Sequence, residues 1–201
     1  MDQTVWRQDL LEKIDSYLER EWGGVDSQIT QVLDSVELDP EGLDRVLDRA
    51  AIGGIPCLDL RDRLQKEPKT LRPGNEILKK VLDCVGGKRL LVIRGWGKAE
   101  PSLDPALALI LGALVCNLGV FARTGGAVEI APSGEGRLAL SFFGPSQWGE
   151  SWKGPEEGFG RFLVEALGGD LPGQEELESG DFRIELSLPE DAYATKAYPG
   201  T

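Results

Sequence analysis

The sequence predicts an α/β protein, an N-terminal helical region followed by a two-layer α/β sandwich. Three observations predict it: helical spacing of apolar residues between Val5 and Ala50, an uncharged stretch from Ala106 to Ala122 that opens on Asp104 and Pro105, and strand-forming runs joined by the turn "SGEG".

The helical region comes first. Val5, Trp6, Leu10, Leu11, Ile14, Tyr17 and Leu18 recur every three or four positions, which is one face of a helix, and Gly23 and Gly24 are expected to end it. Ile29, Val32, Leu33 and Val36 carry a second helical pattern. Asp39 followed by Pro40 is an N-cap and first-turn signal for a third helix bearing Leu43, Val46, Leu47 and Ala50, closed by Gly53 and Gly54. From Ile55 to Asn75 the chain reads as "LDLRDRL" and then a connection rich in Pro, Lys and Gly, so a soft boundary falls there. The expected domains are a helical region over 1–70, the sandwich over 71–190 and an irregular tail over 191–201.

In the second region "EILKKVLDCVGG" reads as a short helix and "KRLLVIRGW" as a strand. The apolar helix after Asp104 and Pro105 follows, then strands "AVEIAP" and "RLALSFFG" joined as a hairpin, a helix "GFGRFLVEALGG", and the alternating strand "DFRIELSLP". The order strand, helix, strand, strand, helix, strand suits a mixed sheet with helices on one face. The seventeen uncharged residues of the apolar stretch reach about 25 Å as a helix, short of a hydrocarbon core of about 30 Å, so a buried helix is expected and not a membrane span.

Composition excludes several classes of function. The 201 residues carry 22 Lys and Arg against 34 Asp and Glu, and a formal charge of -12 repels nucleic acid and anionic lipid. Cys57, Cys84 and Cys116 are far apart and odd in number, which fits reduced thiols better than a disulfide framework. The N-terminal stretch has charges every few residues and no apolar core of a signal peptide, so a cytoplasmic location is expected. The sequence has no histidine, which removes phosphohistidine, Ser/His and Cys/His nucleophile pairs, and imidazole ligands for zinc.

"LDPALALILGALVCNLGVFARTGGAVEIAPSGEGRLALSFFGP", with "GFGRFLVEALGGDL" and "GDFRIELSLPED" after it, resembles the ATP-binding domain of sensor histidine kinases, the Bergerat-type fold, over Lys88 to Glu190. Asp104 and Pro105, Gly125 and Gly126, and Gly168 and Gly169 stand where that family starts its N-box helix, begins its next strand and ends its second helix. The resemblance implies a degenerate site. Asn117 takes the place of the N-box asparagine, but Ala113 replaces the polar residue one turn earlier. The adenine-recognising Asp falls on Phe142 or Phe143, neither of which accepts a hydrogen bond. The Gly-rich lid is represented by Gly154, Gly158 and Gly160, in a loop that also carries Trp148 and Trp152. In character the chain is closest to histidine phosphotransferases of kinase-like architecture, whose dimerising helical hairpin would correspond to the N-terminal helices.

Plainer readings stand beside these. Asn117 is either a helix-interior residue satisfied by a buried partner or a nucleotide or metal contact. Gly125 and Gly126, like Gly168 and Gly169, serve equally as helix-stop residues. Trp148 and Trp152 either anchor a partner or pack a loop over the sheet.

The expectation is a homodimeric, non-catalytic signalling adaptor that binds a response-regulator receiver domain or another regulatory protein. It has no catalytic residue and no metal site, and no cofactor is expected. The alternative is a regulatory switch of the anti-sigma type that retains weak affinity for ATP and Mg²⁺ through Asn117, Gly158 and Gly160. An unrelated structural protein with the same order of elements is a third possibility, since fold does not fix function.

Overall fold

The computed structural model describes residues 5–34, 55–85, 90–96, 100–118, 127–143, 158–171 and 181–195. The chain divides into two compact units, Arg7–Lys66 and a second made of Met1–Trp6 with Glu67–Thr201.

The first unit contains most of helix α1, Val5–Asp34, and helix α2, Ile55–Lys66. On α1 the residues Leu10, Ile14 and Tyr17 are buried, as the spacing required; on α2 Cys57, Leu60 and Leu64 make the matching apolar face. Arg61 Nε lies 2.6 Å from Asp15 Oδ1 and joins the two helices through a partly exposed ion pair, an interaction worth at most about 1 kcal/mol.

One expectation is corrected here. Gly23 and Gly24 do not end the first helix, which runs on through them to Asp34. A glycine inside a helix costs about 1 kcal/mol relative to alanine but stops it only where the backbone turns left-handed, and neither glycine does so. The stretch "LDLRDRL", to which the sequence alone assigns no element, lies in a helix that runs to Lys66, and Pro56 sits in its first turn, where a missing N–H costs nothing. The third helical pattern, Pro40 to Ala50, lies outside the described residues.

Among the described residues the second unit is a mixed α/β arrangement with two sheets. The smaller has β1 (Arg72–Pro73), β3 (Ser102–Leu103) and β7 (Tyr193–Ala194), with β3 in the middle and antiparallel to both. The larger has β2 (Leu90–Ile93), β4 (Ala127–Gly134), β5 (Arg137–Phe143) and β6 (Phe182–Ser187) in the order β2-β4-β5-β6. β2 runs parallel to β4, and the other neighbours are antiparallel. Tyr193 and Ala194, expected in an irregular tail, thus form an edge strand whose pairing with β3 no local pattern specifies.

Register sets the core. Val128 faces Phe142, which faces Phe182; Ile130 faces Leu140, which faces Ile184; Leu138 faces Leu186. All eight side chains are buried on one face of the sheet. The opposite face carries Glu129, Ser141, Arg183 and Glu185, with Val92 and Phe143 exposed, so one face is packed and the other largely polar.

Helices α3 (Gly74–Val85), α4 (Ala106–Leu118) and α5 (Phe159–Ala166) complete the layer, with α4 in contact with both others. From Ala106 to Val115 every residue of α4 is buried except the half-buried Ala113. This is the uncharged stretch of the sequence. It is a core helix because it is apolar all round, each fully buried Leu or Ile contributing about 1.5–3 kcal/mol. No helix among the described residues is long and apolar enough to cross a membrane. Gly112 lets α3 approach, since a Cβ there would overlap Cys84 Cβ.

Candidate functional site

The described residues singled out by the resemblance fall on three elements: the start and end of α4, the end of β5, and the start and C-terminal turn of α5. Asp104 opens α4. Its Oδ1 accepts the Ala106 N–H at 2.9 Å and its Oδ2 accepts the Trp6 indole N–H at 3.0 Å, with the carboxylate fully buried. The Asp-Pro signal is therefore a helix start, held in place by a residue of the first helical pattern. The Asp191 carboxylate adds a second hold on Trp6, accepting its backbone N–H at 2.9 Å.

Ala113 stands partly exposed on α4, one turn before Asn117 in the last turn of the same helix. The Asn117 side chain lies outside what the structure describes. At the end of β5, Phe142 is buried on the inner face and stacks on Phe182, ring centroids 4.5 Å apart and planes 14° from parallel. Phe143, the next residue, points to the other face and is 46% exposed. Two adjacent strand residues take opposite faces, so of the two candidates only Phe142 stands on the helix side of the sheet.

Gly158 is the N-cap of α5, extended at φ -110° and ψ 170° with no side chain to cap the helix, and Gly160 is buried in its first turn. A Cβ on Gly158 would meet no described atom within 4 Å, so the backbone geometry does not demand glycine there. Gly168 and Gly169 close the same helix. Gly168 is left-handed at φ 62°; its N–H donates to Glu165 O at 3.0 Å and the Gly169 N–H to Val164 O at 2.9 Å, the two bonds of a Schellman turn. Gly169 then lies against Glu185 O of β6, where a Cβ would come within 2.7 Å. This pair is helix-stop chemistry combined with a close packing contact. Gly125, Gly126, Trp148, Trp152 and Gly154 lie outside the described residues.

Sequence reading missed one further cluster. Where the chain crosses from β2 to β3, Glu100 Oε1 accepts the Asn75 N–H at 2.8 Å and Asn75 Oδ1 accepts the Trp96 N–H at 3.1 Å. The Gly74 N–H donates to Pro101 O at 2.8 Å, and the Trp96 ring lies over Gly74, where a Cβ would come within 2.9 Å. Glu100 thereby places a carboxylate at the N-terminal end of α3. A Gly-Asn-Glu start before an amphipathic run was the available signal.

Among the described residues no group of His, Cys, Asp and Glu is arranged to hold a metal ion. Cys57 is fully buried, and that burial, reinforced by Asp15 and opposed by Arg61, pushes its thiol up to about 12, away from the reactive thiolate form.

No protein-family model matches the chain and no curated protein is similar to it. Among solved structures it is similar to the mycobacterial sensor histidine kinase MprB, at 17% identity and TM-score 0.39 over 60% of this chain and 96% of that one. It is similar to the blue-light activated histidine kinase EL346 of Erythrobacter litoralis, at 16% identity and TM-score 0.38 over 87% of this chain and 60% of that one. The histidine kinase AdeS of Acinetobacter baumannii gives 16% identity and TM-score 0.38 over 85% of this chain and 96% of its own.

Proposed function

We propose that this chain is a non-catalytic signalling adaptor of the two-component type, with a kinase-like sandwich that docks on a receiver domain or another regulatory protein instead of binding nucleotide. The observation that carries the reading is Phe142. At the position where the resemblance calls for an adenine-recognising carboxylate, the chain has a phenyl ring stacked on Phe182 in the core of the sheet. A ring there offers the exocyclic amine of adenine no acceptor. The absence of histidine from the sequence points the same way, since a phosphotransferase of this architecture needs one as its acceptor.

In this reading the helical region of 1–70 dimerises and the sandwich of 71–190, together with β7, is the docking domain; the protein is cytoplasmic, and Trp148 and Trp152 anchor the partner. The alternative is an ATP-responsive switch, resting on Asn117 in the last turn of α4 and on Gly158 and Gly160 at the uncapped start of α5.

Titration of Mg-ATP and Mg-ADP, read by calorimetry and thermal shift with Asn117→Ala as control, separates the two. The adaptor reading expects no heat and no shift up to millimolar nucleotide. A shift abolished by Asn117→Ala overturns it in favour of the switch. Sedimentation tests the dimer, and a monomer at micromolar concentration would remove that part of the proposal.

A further inference from the structure

We propose that the outer edge of β2 is a docking strand that takes up an extended, acidic segment of a partner protein by β-addition. This deepens the adaptor reading and rests on it, by giving the adaptor a surface.

β2 ends the order β2-β4-β5-β6, so one of its edges has no strand beside it among the described residues. The Arg94 N–H donates to Ile130 O at 2.9 Å, which fixes the side that each residue presents. Backbone groups alternate along a strand. Val92 therefore turns toward β4 with Arg94, and Leu91 and Ile93 turn both N–H and C=O outward. Two donors and two acceptors stand in the arrangement that a further strand would pair with.

The other edge of the sheet is not equivalent. On β6 the Ser187 N–H already donates to Leu167 O at 2.9 Å, and Gly169 is pressed against Glu185 O. The chain covers part of that edge with its own turn after α5.

Charge selects the occupant. Between Asp83 and Glu100 the sequence contains Lys88, Arg89, Arg94 and Lys98 and no acidic residue, in a chain whose formal charge is -12. Arg94 pairs with Glu129 at 2.8 Å yet stays 68% exposed. A second copy of this chain would bring the same basic residues against these, so self-pairing is disfavoured. An extended segment rich in Asp and Glu, with apolar residues alternating among them, complements both the charge and the half-apolar strand.

The test uses the whole protein and an eight-residue peptide of alternating Val and Glu, capped at both ends, with a Lys-for-Glu version as control. Amide hydrogen exchange by NMR follows Leu91 and Ile93, whose N–H groups form the outward ladder. The expected result is saturable binding of the acidic peptide that slows exchange at both amides, weakens with salt, and is absent for the basic peptide. Ile93→Pro deletes an outward N–H and leaves the bonds to β4, so it should weaken binding about tenfold. Should that variant fail to fold, methylating alternate peptide nitrogens makes the same test from the ligand side.

Failure of the acidic peptide to bind up to millimolar concentration, binding without protection at Leu91 and Ile93, or protection of both before peptide is added overturns the proposal. Equal binding of the basic peptide does so too. The nucleotide titration is independent of these outcomes. Protection at β2 in a chain that also binds nucleotide would refute the adaptor reading alone, and neither signal would refute the docking strand alone.

Discussion

The indole N–H of Trp6 reaches 98 residues along the chain to donate to the Asp104 carboxylate at 3.0 Å, in a site closed to solvent. The same carboxylate starts α4, so a side chain near the N-terminus fixes the acceptor that positions the central helix. Trp6→Phe keeps most of the ring and removes the N–H. It should destabilise the protein by about 1–3 kcal/mol, the range for a hydrogen bond to a charged, buried partner. Denaturant unfolding measures the loss, and a variant as stable as the parent would show that Asp104 is satisfied without Trp6.

Phe142 and Phe143 should respond in opposite ways although they are neighbours. Phe142→Ala removes one ring of a buried stack and should cost about 3–5 kcal/mol, whereas Phe143→Ala on the exposed face should stay within about 0.5 kcal/mol. Similar thermal unfolding of the two variants would mean that the stack does not bear on the core.

The hairpin between β4 and β5 turns at Gly136, left-handed at φ 62°, with the Tyr193 ring so close that a Cβ would lie 2.7 Å from it. Gly136→Ala should cost at least about 1–2 kcal/mol for the left-handed backbone, and more for displacing the ring. Tyr193→Ala in the same chain should recover the second part only. Gly134→Ala is the control, because its Cβ would find nothing nearer than 3.8 Å. A double-mutant cycle without coupling would rule out the ring contact.

Burial holds the Cys57 thiol near 12, against an ordinary value of 9.0. The folded state therefore keeps a proton that the unfolded chain gives up first. Stability from this group is complete below about pH 9 and is lost as pH rises toward about 12. Urea unfolding across that window should show a fall that Cys57→Ala flattens, and labelling of Cys57 by a thiol reagent at pH 8 should wait for unfolding.

Elements whose cause is local were legible in the sequence. Asp104 and Pro105 marked the start of α4, alternation at Phe182, Ile184 and Leu186 marked β6, and the Gly-containing turn marked the hairpin. The continuity of α1 through Gly23 and Gly24 was not, because a glycine pair weakens a helix without specifying whether it stops. The two-residue strands β1, β3 and β7 escaped for another reason: Arg72, Leu103 and Tyr193 owe their pairing to each other across long stretches of chain. In the candidate site, the resemblance placed the expected adenine-recognising Asp on one of two phenylalanines, Phe142 or Phe143. The side of the sheet on which each falls, and the stack with Phe182, required the register.

The segment from Leu188 to Ala194 ties together parts of the chain made much earlier. Its Leu188 N–H donates to Gly136 O at 2.7 Å, Asp191 receives Trp6, Ala192 O receives the Asp104 N–H at 2.8 Å, and Tyr193 and Ala194 pair with β3. Synthesis runs from the N-terminus, so a nascent chain holds Trp6, β3 and the hairpin turn before the segment that joins them has been made. Closure of the α/β unit waits for this segment, and a chain cut short at Pro189 keeps the Leu188 bond to Gly136 but forfeits the ties of Asp191, Ala192, Tyr193 and Ala194 at once.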